Sequence, residues 1–283
     1  MRYCETMRMA RVFPRRTNAT PVDPLAFVGY PGLFPPEVDA VHVSCAFTWD
    51  LPLAEELAAA WKHVAPTTLG GPATGARGDE FEPGMYLKPG YTITSRGCPN
   101  NCWFCYVPKR EGPLRELSIK PGWNVLDDNL LACSEEHVRA VFAMLRQQPE
   151  AAQFTGGLEA RRLRPWHVDE LLRLRLKQVF FAYDGPAGWE PLRQAAGMLN
   201  EAGILQRGRH PVRCYVLIGY PSDTHEAADA RCQQVLDLGI MPMAMLMRAE
   251  DGSVAPDWKR LQREWANPTI LGAKLRETAL VGR

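Results

Sequence analysis

Long apolar runs are missing from this 283-residue sequence. None approaches the roughly 18 residues of a membrane span, so no membrane partner is expected. The opening residues, Met1-Arg2-Tyr3-Cys4-Glu5, lack the apolar stretch of a secretory signal, and a cytoplasmic protein is expected. An excess of charge of either sign is missing too. Lys plus Arg number 33 against 32 Asp plus Glu, a formal charge of +1. That disfavours a protein that coats nucleic acid by bulk electrostatics but leaves room for a local basic strip. Cysteine is scarce: eight in a chain of this size, without a signal segment, are too few for a disulfide scaffold. In a reducing compartment they ligate metal, act chemically or fill the core, and their spacing decides which. What remains is ordinary globular composition, 46% hydrophobic and 23% charged. The length falls just short of two domains of about 150 residues, so one large domain or one domain with a smaller piece is expected.

Cys4, Cys45, Cys133, Cys214 and Cys232 are scattered and read as core or chance. The other three crowd into Arg96-Gly97-Cys98-Pro99-Asn100-Asn101-Cys102-Trp103-Phe104-Cys105-Tyr106. Three thiolates on a short loop suit an iron–sulfur cluster, because soft sulfur ligands hold iron and a loop can wrap one face of it. Structural zinc usually takes four ligands in two pairs, and no second pair follows; His137 stands alone. Zinc or three core cysteines remain the alternatives. A three-cysteine site leaves one iron of a four-iron cluster open to substrate or cofactor.

The spacing Cys98-x-x-x-Cys102-x-x-Cys105, with aromatic Phe104 before the last cysteine, resembles the signature of the radical S-adenosylmethionine (SAM) enzymes. The resemblance implies that Cys98, Cys102 and Cys105 hold a [4Fe–4S] cluster whose fourth iron chelates SAM. It implies an external electron donor such as flavodoxin or ferredoxin, and cleavage of SAM to a 5′-deoxyadenosyl radical. Phe104 would pack near the adenine.

Periodicity from residue 91 onward predicts alternating strands and helices. Strands are expected at 91–95, 123–127, 152–155, 178–183, 212–218 and 241–247. A helix capped by Ser134 should present Val138, Val141, Phe142 and Leu145 on one face. Further helices are expected from about Pro165 to Leu176, Leu192 to Glu201 and Thr224 to Leu238, the last two closed by Gly203 and Gly239. Six such units argue for parallel βα topology, with strands covered on both faces. The fold class expected is α/β. Its curvature into a partial (β/α)6 TIM-like barrel, with a small N-terminal βα layer, comes from the family resemblance.

Chemistry in such folds sits on the loops after the strands. Gly156-Gly157-Leu158-Glu159 follows the third strand, and glycines let backbone approach a ligand. The family carries a Gly-Gly-Glu-like segment here that binds the SAM amino group; in this chain the glutamate comes one residue late. Asp184 could bond a ribose hydroxyl or the SAM ammonium, or simply make an Asp-Gly turn. Val216-Leu217-Ile218-Gly219-Tyr220 resembles the segment that cradles adenine, with Ile218 and Gly219 as the contacts. Arg248, after the sixth strand, could meet a carboxylate or phosphate. Met241, Met243, Met245 and Met247 alternate on one strand and read as core packing before cavity lining. Tyr106, Tyr183, Tyr215, Tyr220 and Cys214 are the groups able to exchange a hydrogen atom; the catalytic residue is not singled out.

Residues 1–24 are rich in Arg and Pro without a period, so an irregular basic arm carrying Arg8, Arg11, Arg15 and Arg16 is expected. Residues 25–89 read as a truncated βαβ layer and linker: a strand at 40–45, a helix from Leu53 to His63, a short strand at Thr67, and a Gly/Pro-rich stretch from Gly70 to Pro89. This front half resembles a shortened form of that in cobalamin-binding radical SAM proteins. The Asp-x-His-x-x-Gly segment is absent, since His42 comes a residue late and Ser44 replaces the glycine, so no cobalamin is expected. Residues 90–250 form the expected catalytic core and 251–283 a helical extension bearing Trp258, Leu261 and Trp265 on one face. No cysteine follows Cys232, so no auxiliary-cluster domain is expected, and no basic barrel of the tRNA-modifying kind.

The compact size, Arg/Ala-rich composition and trimmed front layer are similar to short radical SAM proteins of bacteriophages, which would place the chain in the host cytoplasm. The resemblance implies isomerisation of an amino-acid-modified thymidine in phage DNA, from N-linked to C-linked glycine, with DNA or a modified nucleotide as partner. Arg161, Arg162, Arg164, Arg173 and Arg175 could grip a phosphate backbone or be a solvated helix face. A maturase or methyltransferase of the same family, and an iron–sulfur electron-transfer protein, are the alternatives; the latter normally ligates every iron.

Overall fold

The computed structural model describes residues 7–208, 210–249 and 251–273. The opening residues 1–6, Cys4 among them, and the end of the extension, 274–283, lie outside the described residues. The chain forms an α/β structure built on two parallel sheets.

The first sheet comprises β1 (Met9–Phe13), β2 (Ala26–Val28), β3 (Ala40–Ser44) and β4 (Thr67–Gly70), in the order β2-β1-β3-β4. Helix α1 (Leu51–Trp61), with Pro52 in its first turn, lays Ala54, Leu57 and Trp61 on the sheet. Trp61 is sealed on both counts, its ring in the core and its Nε1–H donating to the Gly29 carbonyl at 3.0 Å.

The expected irregular arm is corrected here: β1 is an interior strand with Ala10, Val12 and Phe13 buried. Arg11 hides this from the sequence pattern. Its guanidinium is buried because it donates to the Gly84 and Met85 carbonyls and pairs with Asp23. Arg15 is likewise paired with Asp50. The Gly/Pro-rich stretch is not a free linker either. Phe81 is buried, Gly78 N–H donates to Glu111, and Lys88 N–H donates to the Ala19 carbonyl.

The second sheet has six parallel strands: β5 (Tyr91–Thr92), β8 (Asn124–Val125), β9 (Ala152–Phe154), β10 (Leu176–Ala182), β11 (Val212–Ile218) and β12 (Met241–Leu246), in the order β12-β11-β10-β9-β8-β5. A small antiparallel pair, β6 (Ser95–Arg96) with β7 (Arg115–Glu116), flanks the cysteine loop, and the short helix α2 (Val107–Arg110) follows the last cysteine. Helices α3 (Glu135–Arg146), α4 (Pro165–Leu172), α5 (Trp189–Glu201) and α6 (His225–Asp237) connect the strands, and α7 (Pro256–Glu264) follows β12. Ser134 caps α3 as expected, its hydroxyl accepting from His137 N–H at 3.2 Å. The four expected α3 residues all enter the main core, where Phe142 meets Phe154 with centroids 5.5 Å apart.

At β11 and β12 only one face is fully covered, which corrects the expectation of strands covered on both for that end of the sheet. On β11, Val212, Cys214, Val216 and Ile218 are buried against the helices, while Arg213, Tyr215 and Leu217 are half-exposed. The register puts Met241, Met243 and Met245 beside those three. Core packing therefore holds for Met241 alone of the three; Met245 is 44% exposed. The α4 helix also stops short of Leu176, which instead opens β10.

His167 closes α4 at its first turn. Its Nδ1 accepts the Arg164 N–H at 2.9 Å, and burial lowers its pKa from 6.5 to about 4, with Arg164 and Arg139 adding to the shift. A folded pKa below the unfolded one means that its stability contribution is complete above pH 6.5 and is lost as pH falls toward 4. His167→Gln, which keeps an acceptor but does not titrate there, should show a flatter melting temperature across that window; an unchanged slope counts against this assignment.

Candidate functional site

The cysteine loop is anchored by carboxylates that follow β8. Asp127, 1% exposed, accepts from Thr94 N–H (2.6 Å), Thr94 Oγ1 (2.6 Å) and Ser95 Oγ (2.7 Å). Burial raises its carboxyl against those hydrogen bonds. Asp128 Oδ2 accepts Gly97 N–H at 2.8 Å. Gly97 has φ +82°, and a Cβ there would stand 2.4 Å from the Pro113 carbonyl oxygen, so the residue before Cys98 must be glycine. Behind the loop, buried Glu111 receives Arg110 and Arg115 at 2.9 Å each, Arg96 at 3.5 Å and Gly78 N–H at 3.2 Å. These residues bracket the cysteines in sequence, and Arg110 also faces Asp128 at 3.6 Å.

Cys98 is half-buried, Cys102 exposed and Cys105 half-buried. Asn129 Nδ2 donates to Cys98 Sγ at 3.3 Å and to Glu159 Oε2 at 2.7 Å. Asn100 N–H also reaches Cys98 Sγ, at 3.4 Å. Burial and the neighbouring cysteines push the Cys102 and Cys105 thiols up, and Asp184 and Glu159 add to the effect at Cys102. Cys102, Asp184 and Glu159 therefore share one electrostatic neighbourhood. Among the described residues, no group of three His, Cys, Asp or Glu side chains is arranged to hold a single metal ion.

The late glutamate has a structural reason. Leu158 is buried and donates its N–H to the Phe180 carbonyl at 2.7 Å, so the turn drops Leu158 into the core and returns Glu159 to the loop. Burial raises the Glu159 carboxyl, but hydrogen bonds from Asn129, Asn100 and Arg162 outweigh it and hold it below the usual range. Its Oε1 is buried without a hydrogen bond, although Arg161 Nε stands 2.9 Å away, too poorly aligned to donate. Asn129 Oδ1 is also buried and unsatisfied. Gly156 is required by packing, since a Cβ would lie 2.5 Å from the Asp127 carbonyl oxygen. Gly157 has φ +92°, with only the Phe180 carbonyl near its open side.

Asp184 accepts Leu217 N–H at 3.2 Å, and burial lifts its carboxyl to about 6. Gly219 turns the chain at φ +74° and donates to Asp223, which pairs with Arg231 at 2.7 Å. Tyr220 then meets Trp103 edge-on at 5.7 Å, and Trp103 meets Phe104 at 5.4 Å, which joins the end of β11 to the cysteine loop.

Two expected residues are not brought in. Ile218 is fully buried on the helix-covered face. Arg248 donates to the Gly252 carbonyl and stacks over Trp49 of the N-terminal layer, 5.2 Å from its ring centroid. The arginine strip is also engaged internally: Arg161 and Arg162 with Glu159, Arg173 with Glu170, Arg164 and Arg175 with backbone carbonyls. Among the hydrogen-atom candidates, Cys214 is fully buried and Tyr183 is spent on Gln234 at 3.0 Å. Tyr215 alone of the β11 pair faces the open side, stacked 4.2 Å from Phe180, its hydroxyl pushed up to about 12 by burial.

Sequence reasoning missed Asn129, Asp128 and Glu111. The first two were signalled by Asp127-Asp128-Asn129 directly after a short strand, where βα folds gather their polar groups; Glu111 carried no local signal. No family model and no curated protein matches the chain.

Proposed function

We propose that the chain is a radical SAM enzyme on a partial (β/α)6 barrel, and that its substrate is an amino-acid-modified thymidine isomerised from N-linked to C-linked glycine. The observation that carries this reading is Asn129 beside Cys98 in the loop of three thiols, linked to Glu159 and with its own Oδ1 buried without a hydrogen bond. A buried acceptor without a donor is costly, and the SAM ammonium would be a donor to Asn129 Oδ1. The donor set fits a [4Fe–4S] cluster: each thiolate binds its own iron, so the sulfurs need not converge on one point as they must for a single ion. Cys98, Cys102 and Cys105 would hold it. When bound, the cluster supplies the electron that cleaves SAM to a 5′-deoxyadenosyl radical.

The chain's own residues do the rest. Asn129 and Glu159 orient the SAM amino group, Asp184 accepts from the ribose, and Phe104 covers the adenine. Exposed Cys102 and Trp103 leave the loop open to an external donor such as flavodoxin or ferredoxin. The half-open face with Tyr215, Phe180, Met243 and Met245 walls the substrate and keeps water from it. Curvature is supported by both ends of the six-stranded sheet reaching the N-terminal layer: Arg248 and Gly252 at Trp49, and Ile93 and Arg96 at the cavity described below.

Anaerobic protein reconstituted with iron and sulfide, then given dithionite and SAM, should release 5′-deoxyadenosine. Full iron loading without that product overturns the reading. DNA bearing N-linked glycyl-thymine, digested to nucleosides after turnover, tests the substrate; an unchanged nucleoside profile from protein that does cleave SAM rules it out.

A further inference from the structure

A cavity of 580 Å³ lies between the N-terminal layer and the support of the cysteine loop, with Ile93, Arg96 and Glu111 on its wall, and none of the residues proposed to hold the cluster or SAM lines it. It lies beyond the carboxyl ends of β1, β3 and β4, where Phe13, Ser44 and Gly70 reach its wall. The strand order β2-β1-β3-β4 sends the chain to one side after β1 and to the other afterwards. In open parallel sheets, ligands bind outside the carboxyl ends of the strands at such a reversal. The volume falls within the range of about 300–1,000 Å³ that small-molecule sites occupy. Its roof is the stretch that sequence composition marks as a linker, with Phe81 and Tyr86 turned inward.

The wall's charges narrow the occupant. Arg15 is paired with Asp50, Arg96 with Glu111 and Glu82 with Lys120. Carboxylates outnumber guanidiniums on the wall, and exposed Arg77 is the one guanidinium there without an ion pair among the described residues, so the wall as a whole disfavours a phosphate. Among the wall's neutral polar groups, which include Thr17, Thr20 and Ser44, His42 is the one with an aromatic ring nitrogen. His42 Nδ1 is bonded to the Tyr86 hydroxyl, while Nε2 makes no hydrogen bond among the described residues. Residue 70 is glycine beside it: a Cβ there would stand 2.6 Å from Nε2. Burial lowers the His42 pKa, so the ring stays neutral and presents a single hydrogen-bonding nitrogen.

We propose that this cavity is a second binding site, for a neutral heteroaromatic molecule of nucleoside size, its ring lying among Phe13, Phe47 and Phe81 and its polar edge meeting His42 Nε2. The site does not depend on SAM chemistry: the protein could fail to cleave SAM and still bind here.

Equilibrium dialysis of the full chain without SAM, with thymidine, adenosine and thymidine 5′-monophosphate as probes, tests it. At least one nucleoside should bind saturably, and the monophosphate should bind about tenfold more weakly than thymidine. Ala46→Trp, which puts bulk on the exposed edge of the cavity wall, should weaken binding. His42→Phe keeps the ring shape, and should weaken binding about tenfold through one lost hydrogen bond. The His42 variant decides the matter if the tryptophan variant melts early. No saturable binding of either nucleoside, or binding that survives His42→Phe unchanged, overturns the proposal.

Discussion

Replacing Cys102 with alanine is expected to lower bound iron from about four ions per chain to a small fraction of that, and to abolish 5′-deoxyadenosine formation. Cys133→Ala should change neither. Cys102 is exposed and its sulfur makes no hydrogen bond among the described residues, so its removal leaves the packing intact. A surface change of this kind shifts stability by about 0.5 kcal/mol or less, and loss of iron then reports on ligation rather than on folding. Cys133 is the matched control. It lies outside the loop of three thiols, and burial pushes its thiol up to about 12 despite a hydrogen bond with Ser95. Iron retained at wild-type stoichiometry in Cys102→Ala contradicts the three-thiolate assignment.

The second sheet was largely legible because its units obey simple periods. The apolar run Val212–Ile218 is the strand observed, and Ser134 and Thr224 cap the helices their positions announce. The first sheet was harder. Met9–Phe13 carries an arginine in its middle, and no pattern in a window that short says that Arg11 will find two carbonyls and Asp23 from distant segments. Site residues divide in the same way. The three cysteines share one short loop, as their spacing requires, and Glu159, which follows its glycines, lies beside it through Asn129. The side chains of Ile218 and Arg248 lie elsewhere because position at a strand end does not fix side-chain direction: alternation turns Ile218 into the helix layer, and Arg248 sits over Trp49. Glu111 was invisible because its burial also rests on Arg96 and Gly78, which come from distant parts of the chain.

That same Glu111 should be the costliest single charge to remove. Its side chain is 1% exposed, and three guanidiniums with 16–22% exposure converge on it. Breaking a buried ion pair by deleting one partner costs about 3–5 kcal/mol, because the charge left behind is uncompensated. The arginines retain some solvent, so Glu111→Gln is expected near the low end, about 3 kcal/mol. Burial raises the Glu111 carboxyl, and Arg115, Arg110, the Gly78 N–H and Arg96 together outweigh it, leaving the pKa below its ordinary 4.5. With a folded pKa below the unfolded one, the contribution is present above pH 4.5 and is lost as pH falls through the folded value. The stability gap between wild type and Glu111→Gln in urea should therefore be widest near neutrality and shrink below pH 4.5. The loop should suffer with the fold. Arg96 and Arg110 flank the three cysteines, and Arg110 supports Asp128, which holds Gly97. A merely distant stabilising residue would lower the melting temperature and leave iron uptake by the folded protein intact. A variant with wild-type iron content and an unaltered cluster absorption spectrum would remove Glu111 from the support of the cysteine loop.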